Sequence, residues 1–321
     1  MTDLIYTRHR GSRPLLLSLP HVGTALPESL KPRLVPRALA LEDTDWHLAQ
    51  VYAFAKGLGV SMLVPRHSRY VVDLNRPPEN APMYPGVNNT GLCPATFFTG
   101  DPLYQPGQAP DAAEVAQRVA TYWRPYHGAL AAELARLRAA HGQVVLFDGH
   151  SIHGQLPWLF DGRLPDLNLG TASGSSCAPA LREALAGVLA GQSAYTVAVD
   201  GRFKGGHITR FYGRPADGVH AVQLEMAWRC YMDEAPPFGW DDARAAATLG
   251  PASLDQRRLA ATGAAGHRPQ RPLSAGTQRR GGTRRRHRAA RPGAAGHGRR
   301  PQPCLPARLR RPGRAPQRCR R

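Results

Sequence analysis

Two histidines stand directly after apolar runs that are typical of buried strands. His21 follows PLLLSLP (14–20), and His150 follows QVVLFDG (143–149), in which Asp148 is the penultimate residue. Side chains two positions apart along a strand share a face, so Asp148 and His150 are expected on one side. The same alternation puts His21 on the side of Leu15, Leu17 and Leu19. Sheets of the α/β class carry their sites at strand ends, which makes both histidines candidate site residues.

A zinc ion bound by two histidines and one carboxylate is the chemistry that these residue types support. Such a site supplies three protein ligands and leaves one coordination position for water. Asp43 and Asp45, near the start of the first predicted helix, are the available carboxylates. No HExxH motif and no Cys/His cluster fixes the ligand set by spacing. A single histidine at a strand end is more often structural, so the two histidines count only together.

The segment RYVVDLNR (69–76) combines a strand-like apolar pattern with charged and amide groups. Alternation along a strand puts Arg69, Asp73 and Asn75 on one face, where burial would require partners for them. Arg76 offers a planar guanidinium that can hold a carboxylate through two hydrogen bonds. The segment therefore predicts binding of an acidic substrate, with a structural ion pair between Arg69 and Asp73 as the alternative.

Glu225 interrupts the apolar strand VHAVQLEM (219–226), in which Gln223 shares its face. An ionised carboxylate inside a core strand requires a partner, a metal ion or a catalytic role. General acid–base catalysis is one such role, which makes Glu225 a candidate catalytic residue.

The segment GGHITRFYG (205–213) holds His207 and Arg210 between glycines. We interpret it as a loop that brings an imidazole and a guanidinium to a substrate, with an ordinary surface loop as the alternative. Signatures of other chemistries do not occur in the sequence. No GxGxxG follows a strand, there is no GxxxxGK[ST], and DGHSIHG does not fit the GxSxG elbow.

Alternating strand and helix patterns must position these groups. Strands are predicted at 14–20, 60–65, 69–74, 143–149, about 195–200 and 219–226. Helices are predicted from 44 to 57, from 111 to about 140 with a kink or division at Pro125, and near 178–190. The stretch 75–110, rich in Pro, Gly and Asn, is predicted to be a functional loop region. This order predicts an α/β layered domain with a largely parallel or mixed sheet.

The net charge of +19 belongs to the last part of the chain alone. Residues 251–321 contain 20 Arg and one acidic residue, which leaves 22 basic and 22 acidic residues in 1–250. Residues 256–321 also lack Val, Ile, Phe, Tyr, Trp, Met, Lys, Asp, Glu and Asn. A segment of this composition cannot bury a core and is predicted to be disordered. We therefore divide the chain into a catalytic domain, 1–250, and an Arg/Pro/Gly/Ala-rich tail, 251–321.

The sequence also bears on the cellular compartment. No apolar run is long enough to cross a bilayer, and the first 14 residues lack the continuous apolar stretch of a signal peptide. The five cysteines form no CxxC pair and no disulfide framework. These features predict a cytoplasmic protein with reduced thiols and no membrane partner.

Nine segments, in order along the chain, resemble the N-formylglutamate amidohydrolase (N-formylglutamate deformylase) family of bacterial histidine breakdown. They are SLPHVG (18–23), DTDWH (43–47), SRYVVDLNRPP (68–78), TGLCP (90–94), YWRPYH (122–127), DGHS (148–151), LPDLNLGT (164–171), GRFKGGHITRFYG (201–213) and QLEMAWRCYMDE (223–234). The resemblance implies metal-dependent hydrolysis of N-formyl-L-glutamate to L-glutamate and formate, as the last step of a histidine degradation route. Because the family is similar to zinc carboxypeptidases, it also implies a three-layer α/β sandwich with a central mixed, mostly parallel sheet.

The resemblance further implies a metal centre and a general base. The ligands of one divalent ion, zinc, would be His21, Asp45 and His150, with Asp43 as the alternative carboxylate. Glu225 would take the proton of the attacking water and return it to the leaving amine.

Binding roles are implied for five other residues. Arg69 would polarise the formyl oxygen. Asn75 and Arg76 would hold one carboxylate of the small-molecule substrate. Arg210, with His207 nearby, would hold the second.

Two other functions fit the sequence. One is a deacylase of another N-acyl amino acid on the same fold, which kinetics with N-formyl, N-acetyl and N-succinyl glutamate would separate. The other is non-specific nucleic-acid binding through the basic tail. The tail has no aromatic residues to stack on bases, so specific nucleic-acid recognition is not expected.

The tail leads to a first prediction. Ten residue types vanish together there, Lys among them, and we hypothesise that residues from about 250 onward are out-of-frame translation of a GC-rich gene. Limited proteolysis of the full chain is expected to cut the tail back to near residue 250 before the body is cleaved. Mass spectrometry of the fragments measures this, and a protected tail would contradict it. Resequencing of the locus tests the reading frame, and relatives that encode the same Arg-rich end would refute the hypothesis.

Overall fold

A computed structural model describes residues 5–83, 86 and 88–249 of the chain. The tail predicted for 251–321, and with it the hypothesis of out-of-frame translation, lies outside the described residues.

Seven strands in the described residues form one mixed sheet. They are β1 (Tyr6–His9), β2 (Leu15–Ser18), β3 (Ser61–Pro65), β4 (Val144–Ile152), β5 (Leu167–Gly170), β6 (Val197–Val199) and β7 (Val219–Ala227). Their order across the sheet is β1-β3-β2-β4-β7-β5-β6. β3, β2, β4 and β7 are parallel to one another. β1 and β5 pair antiparallel with β3 and β7, and β6 is parallel to β5. The predicted α/β class with a mixed, mostly parallel sheet is confirmed.

The helices of the described residues lie between these strands and after the last one. They are α1 (Leu48–Val51), α2 (Ala112–Arg118), α3 (Arg124–His141), α4 (Pro179–Ala190), α5 (His207–Tyr212) and α6 (Asp242–Leu249). Short 3-10 helices occur at Lys31–Arg33, Pro36–Ala40, Ala53–Lys56, Pro215–Asp217 and Trp228–Cys230, and a π-helical turn at Val119–Trp123 joins α2 to α3. No helix in this part of the chain has the length and apolar character needed to span a membrane.

Strand alternation divides the core between the two faces of the sheet. Even-numbered Leu16 and Leu146 pack with α3 and α5, as does Leu63 of β3, in one cluster that includes Tyr126 and Ile208. Strand residues whose side chains point to the other face of the sheet, such as Leu17, Met62 and Leu224, pack in a second cluster. This cluster includes the buried leucines of α1 and α4. Helices therefore cover both faces, and the sheet is the middle of three layers.

The strand predicted at 69–74 is wrong, because this segment folds as turns. The hydroxyl of Ser68 accepts a hydrogen bond from the Tyr70 amide at 3.2 Å, and Asp73 Oδ1 accepts one from the Asn75 amide at 2.8 Å. Such local side-chain bonds to the backbone compete with the ladder of a sheet. The segment nevertheless separates its side chains as predicted: Val72 and Leu74 enter a core cluster, whereas Arg69 pairs with Asp73 and lines a cavity together with Asn75.

Two helix predictions are corrected in their details. The helix predicted from 44 begins at Leu48 and passes into a 3-10 helix at Ala53, so only part of that segment is α-helical. The predicted helix at 111–140 is divided before Pro125, which lies in the first turn of α3. A proline there lacks the N–H that would continue the α-helical ladder, and the π-helical turn precedes it. The division predicted at Pro125 is confirmed.

The segment 205–213, predicted as a loop, contains helix α5. Its first turn buries Ile208 and Thr209, and Ile208 joins the core cluster under α3. Buried residues at both ends of this short helix, Ile208 and Tyr212, therefore anchor it in the core cluster.

Two glycines provide a matched test of the packing around β5. A Cβ at Gly170 would lie 2.6 Å from the backbone nitrogen of Gly205, whereas one at Gly187 of α4 would meet nothing within 4 Å. We expect Gly170→Ala to lower the free energy of unfolding by about 1–3 kcal/mol through overpacking. Gly187→Ala is expected to raise it by about 0.5–1 kcal/mol, because alanine favours the helix. Urea unfolding measures both, and equal midpoints for the two variants would contradict this description of the contact.

Candidate active site

The carboxyl ends of three neighbouring parallel strands converge on one cavity. β2 leads to His21, β4 carries Asp148 and His150, and β7 carries Glu225. In the register of β4 with β7, His150 stands opposite Glu225. His21, His150 and Glu225 all line the cavity beside them. The location predicted from strand ends is where the structure places these side chains.

His21 reaches the site by a different path from the predicted one. β2 ends at Ser18 and the chain then turns, so the predicted alternation holds for Leu17 and Leu19 but is wrong for His21. Leu17 and Leu19 pack in the core of one face, whereas the His21 ring lies against the His150 ring at a centroid distance of 4.8 Å. The turn after β2 therefore brings the imidazole across the end of the sheet.

His21, Asp45 and His150 form a compact, buried triangle of ligand atoms. The two Nδ1 atoms are 3.1 Å apart, and Asp45 Oδ2 lies 3.5 Å from His150 Nδ1 and 3.8 Å from His21 Nδ1. A tetrahedral zinc ion with bonds of about 2.0–2.1 Å holds its ligand atoms about 3.3 Å apart. The observed spacings bracket that value, so the donor set fits a divalent metal ion.

Two carboxylates orient the two imidazoles. His21 Nε2 lies 2.7 Å from Asp73 Oδ1, and His150 Nε2 lies 2.9 Å from Asp148 Oδ2. A carboxylate only accepts hydrogen bonds, so each Nε2 carries a proton and each Nδ1 is directed at the triangle. Histidines that bind metals are usually held by a second hydrogen bond of this kind. Two Nδ1 lone pairs 3.1 Å apart repel each other unless a proton or a metal cation lies between them.

The pKa values of the two histidines move in opposite directions. Burial and the neighbouring Arg69 guanidinium lower the pKa of His21. Burial also opposes the charged form of His150, but the Asp148 carboxylate outweighs it and raises the pKa of His150 well above its usual value. The two pKa values differ because a guanidinium lies beside His21 and a carboxylate lies beside His150.

Asp73 accepts hydrogen bonds from several of the polar groups around His21. Arg69 Nη2 donates to its Oδ2 at 2.6 Å, and the Asn75 amide and His21 both contact its Oδ1. Burial alone would raise the pKa of this carboxyl, but His21 and Arg69 hold it well below its usual range. The ion pair considered as the structural alternative thus exists. It also lies in the site, because Arg69 Nη1 is 3.3 Å from His21 Nδ1 and Arg69 lines the cavity.

The side-chain amide of Asn75 is fixed from both ends. Its Oδ1 accepts from the Ile208 amide at 2.8 Å, and its Nδ2 lies 2.9 Å from His150 Nε2 and 3.3 Å from Asp148 Oδ2. Gly206 leaves the room for this amide, because a Cβ there would lie 2.2 Å from Asn75 Nδ2. Asn75 therefore lies against His150, a member of the triangle, and against the Asp148 carboxylate behind it.

Asp43, the alternative carboxylate ligand, has a different place from Asp45. Its Oδ2 accepts from the Phe98 amide at 3.1 Å, and burial raises its pKa to about 6, although Arg69 opposes the shift. Asp45 is the carboxylate that joins the two histidines and lines the cavity. Asp43 holds the backbone that presents Phe98, and the Phe98 ring packs under the Arg69 guanidinium at 4.5 Å.

Glu225 lies in the wall of the cavity within the buried strand β7. Gln223 Nε2 donates to its Oε2 at 3.4 Å. Burial raises the pKa of Glu225 to about 8, an effect that the charge of His150 opposes and that a nearby metal cation would oppose further. A carboxylate poised in this way can accept and release a proton near neutral pH.

The four residues predicted to bind substrate divide into two pairs. Asn75 and Arg76 line the cavity, whereas His207 and Arg210 do not. Arg210 is exposed on α5 and its Nε donates to the Gly205 carbonyl at 2.8 Å. The His207 ring stacks on Phe211 at 5.1 Å. Since the segment is helical and its buried face is taken by Ile208, the structure does not bring these two side chains to the site.

Several lining residues were missed by reasoning from the sequence. They come from three separate stretches and are Asn88, Asn89, Thr90, Phe98, Leu159, Arg202 and Phe203. The first four lie in the stretch 75–110 that was predicted to be a functional loop region, which was the available signal. Arg202 lies within GRFKGGHITRFYG, but its spacing alone does not distinguish it from Arg210.

The sequence of the chain is similar to a known protein family and to named members of it. The family model described as N-formylglutamate amidohydrolase matches residues 13–232. An N-formylglutamate deformylase of Pseudomonas aeruginosa is 52% identical over 246 residues, which are 77% of this chain and 92% of that protein. An N-formylglutamate deformylase of Pseudomonas putida is 50% identical over 236 residues, 74% of this chain and 88% of that protein.

Two solved structures share the fold. The crystal structure of N-formylglutamate amidohydrolase from Ralstonia eutropha JMP134 is similar with a TM-score of 0.70 and 25% identity, covering 82% of this chain and 99% of that one. A gene product of Agrobacterium tumefaciens has a TM-score of 0.61 and 21% identity, covering 80% of this chain and 96% of that one, and bears on the fold alone.

Proposed function

The chain belongs to the N-formylglutamate amidohydrolase family, and on that premise we propose that it hydrolyses N-formyl-L-glutamate to L-glutamate and formate. The family makes it a hydrolase. The observation that carries the substrate assignment is the pairing of a metal-ligand triangle with a cavity that several arginines line. The relatives at 50% and 52% identity bear the name of this activity.

We propose that His21, Asp45 and His150 hold one divalent ion, and that the ion is zinc. Two imidazoles and one carboxylate are a donor set typical of catalytic zinc, and their spacing fits its coordination sphere. When bound, such an ion supplies Lewis acidity and a water molecule whose pKa is lowered to about 7. Asp73 and Asp148 hold the two imidazoles in the tautomer that this binding requires.

Glu225 is the proposed general base. It faces His150 across the β4–β7 pair and lines the same cavity, so it lies beside the place where water must attack. It takes the proton of the attacking water and returns it to the amine nitrogen as the formamide bond breaks. A pKa raised by burial suits a group that must both accept and donate a proton.

Arg69 is the proposed donor to the formyl oxygen as negative charge develops there. Asp73 fixes one of its terminal nitrogens at 2.6 Å, and Phe98 packs against the guanidinium plane. A donor that is already oriented needs no reorganisation during the reaction, and such electrostatic stabilisation is often the largest contribution to catalysis.

Arg76 is the proposed partner of a substrate carboxylate. It lines the cavity next to Asn75, and its guanidinium donates to the Thr90 carbonyl at 2.9 Å, which fixes its direction. Asn75 Nδ2 donates to Asp148, the carboxylate behind His150, which supports positioning of the imidazole through Asp148 in place of the predicted carboxylate contact. The predicted roles of His207 and Arg210 are not carried forward, because neither lines the cavity.

Other expectations from the sequence stay predictions: the likeness to zinc carboxypeptidases, the cytoplasmic location and the place in histidine breakdown. The direct test of function is formate release from N-formyl-L-glutamate by the purified full chain, compared with N-acetyl and N-succinyl glutamate. Greater turnover of either larger substrate would favour the rival, a deacylase of another N-acyl amino acid.

Metal analysis tests the proposed ligands. The purified chain is expected to bind about one zinc ion, and His21→Ala or His150→Ala should abolish tight binding because two protein ligands remain. His141→Ala is the matched control, since this histidine is exposed and its Nε2 donates to the Ser12 carbonyl oxygen at 2.9 Å. Isothermal titration with Zn²⁺ after chelation measures the affinity. Unchanged stoichiometry in both ligand variants would overturn the assignment.

Substitution of the proposed base tests the mechanism. Glu225→Gln should keep the fold and the metal but lower kcat by about 10²-fold or more, because the amide cannot accept the proton. Glu183→Gln, exposed on α4, is the control and should leave turnover unchanged. Steady-state formate release measures both. Near-normal turnover by Glu225→Gln with a full metal complement would remove Glu225 from the mechanism.

A further inference from the structure

A third arginine, Arg202, lines the cavity together with Arg69 and Arg76. Its Nε and Nη2 both donate to the Leu159 carbonyl, at 3.2 and 2.8 Å. These two bonds occupy the Nε–Nη2 edge and fix the plane of the guanidinium, so a carboxylate would be recognised through its Nη1–Nη2 end. Arg202 thus enters the cavity in a set direction.

The loop that carries Arg202 is anchored on both sides. The Asp200 amide donates to the Leu169 carbonyl of β5 at 2.7 Å, and the Gly206 amide donates to Gln223 Oε1 of β7 at 2.7 Å. Between these anchors, the Phe203 ring packs edge-on against Phe160 at 6.0 Å. Arg202 is therefore presented by the sheet itself and by a small apolar cluster, and not by an untethered loop.

A second loop that lines the cavity, around Asn88 and Thr90, is hydrogen-bonded to the segment that holds Arg202. Asn88, which lines the cavity, donates from Nδ2 to the Trp158 carbonyl at 2.7 Å, one residue before the carbonyl that Arg202 contacts. Thr90, two residues further along, accepts hydrogen bonds from Arg76. The guanidinium groups of Arg76 and Arg202 are thus held by two loops that the Asn88–Trp158 hydrogen bond connects.

The substrate has two carboxylates. The three arginines differ in whether they contact residues at the proposed metal site, directly or through a neighbour. Arg69 touches His21 and Asp73, and Arg76 follows Asn75, which touches His150. Arg202 is held by the Leu159 carbonyl. Among the residues that the structure describes, no hydrogen bond joins it to His21, Asp45 or His150. The carboxylate nearer the scissile amide is the α-carboxylate, so Arg76 suits it, and the γ-carboxylate extends further from the metal ligands.

We infer that Arg202 is the residue that selects the γ-carboxylate of the substrate. This inference rests on the proposed function and assigns to Arg202 the part that the sequence had suggested for Arg210. It explains why an arginine lines the cavity with its guanidinium already oriented by a backbone carbonyl. It also makes the preference for an acidic side chain a property of the 200–206 loop.

The test compares two substrates that differ only in the γ group, N-formyl-L-glutamate and N-formyl-L-glutamine. Arg202→Gln is expected to lower kcat/KM for the acid by about 10- to 100-fold, mainly through KM, because a hydrogen-bonded charge is lost. For the amide substrate, kcat/KM should change by less than about 3-fold. Arg202→Lys keeps the charge without the fork and should recover part of the preference for the acid.

Matched variants distinguish this role from structural and rival roles. Arg210→Gln should retain the wild-type preference, and Arg214→Gln, an exposed arginine paired with Asp217, serves as the surface control. An equal loss on both substrates with Arg202→Gln would mean a structural or α-carboxylate role and would overturn the inference. Loss of the preference with Arg210→Gln and not with Arg202→Gln would overturn it as well.

The wild-type reaction separates this inference from the function on which it rests. If the wild-type chain releases no formate from N-formyl-L-glutamate, the proposed function fails and the inference fails with it. If the wild type is active and Arg202→Gln leaves the ratio of the two kcat/KM values unchanged, the inference alone fails. Thermal unfolding of Arg202→Gln and Arg202→Lys checks that both variants are folded. If the preference for the acid, measured as the ratio of the two kcat/KM values, is lost in Arg202→Gln and recovered at least in part in Arg202→Lys, the charge-based role is supported.

Discussion

Two buried imidazoles face each other through their Nδ1 atoms at 3.1 Å, and each has a carboxylate behind its Nε2. Such an arrangement is unfavourable without a cation between the rings, since both Nδ1 lone pairs point into the same small space. The carboxylates behind them prevent the rings from turning away. Asp73 is itself fixed by Arg69, and Asp148 by Ser18 and the Asn75 amide. The surrounding polar groups thus hold both rings in a geometry that a proton or a metal cation between the two Nδ1 atoms would relieve.

The parallel strands supply the positions for this arrangement. β2, β4 and β7 run in the same direction, so their carboxyl ends meet at one edge, and the register sets Ser18 against Asp148 and His150 against Glu225. The side chains of Ser18 and Asp148 lie on the face that α3 covers, where the Tyr126 hydroxyl lies 3.1 Å from Ser18 Oγ. A shift of one residue in this register would send Asp148 to the opposite core. The helix packing and the chemistry therefore depend on the same alignment of strands.

Reasoning from the sequence succeeded where chemistry followed from the strand itself. Asp148, His150 and Glu225 are polar interruptions of apolar runs, and the alternation within β4 and β7 carries directly into the structure. It failed where the position depends on turns: His21 lies after the end of β2, and the segment at 69–74 is held by local side-chain bonds. Arg202 could not be distinguished from Arg210, because its place depends on Leu159 and Asn88, which lie in distant parts of the sequence.

Two parts of the site differ in how strongly the stability of the fold depends on their charged groups. Removing one partner from a buried ionic network leaves an uncompensated charge and costs about 3–5 kcal/mol. Asp73, fully buried and in contact with His21 and Arg69, belongs to such a network, so its loss would destabilise the fold and the site together. The cavity wall is different, because the guanidinium groups there are held by backbone carbonyls that are already part of the fold. Selectivity can therefore change at the wall while the ligand triangle stays intact.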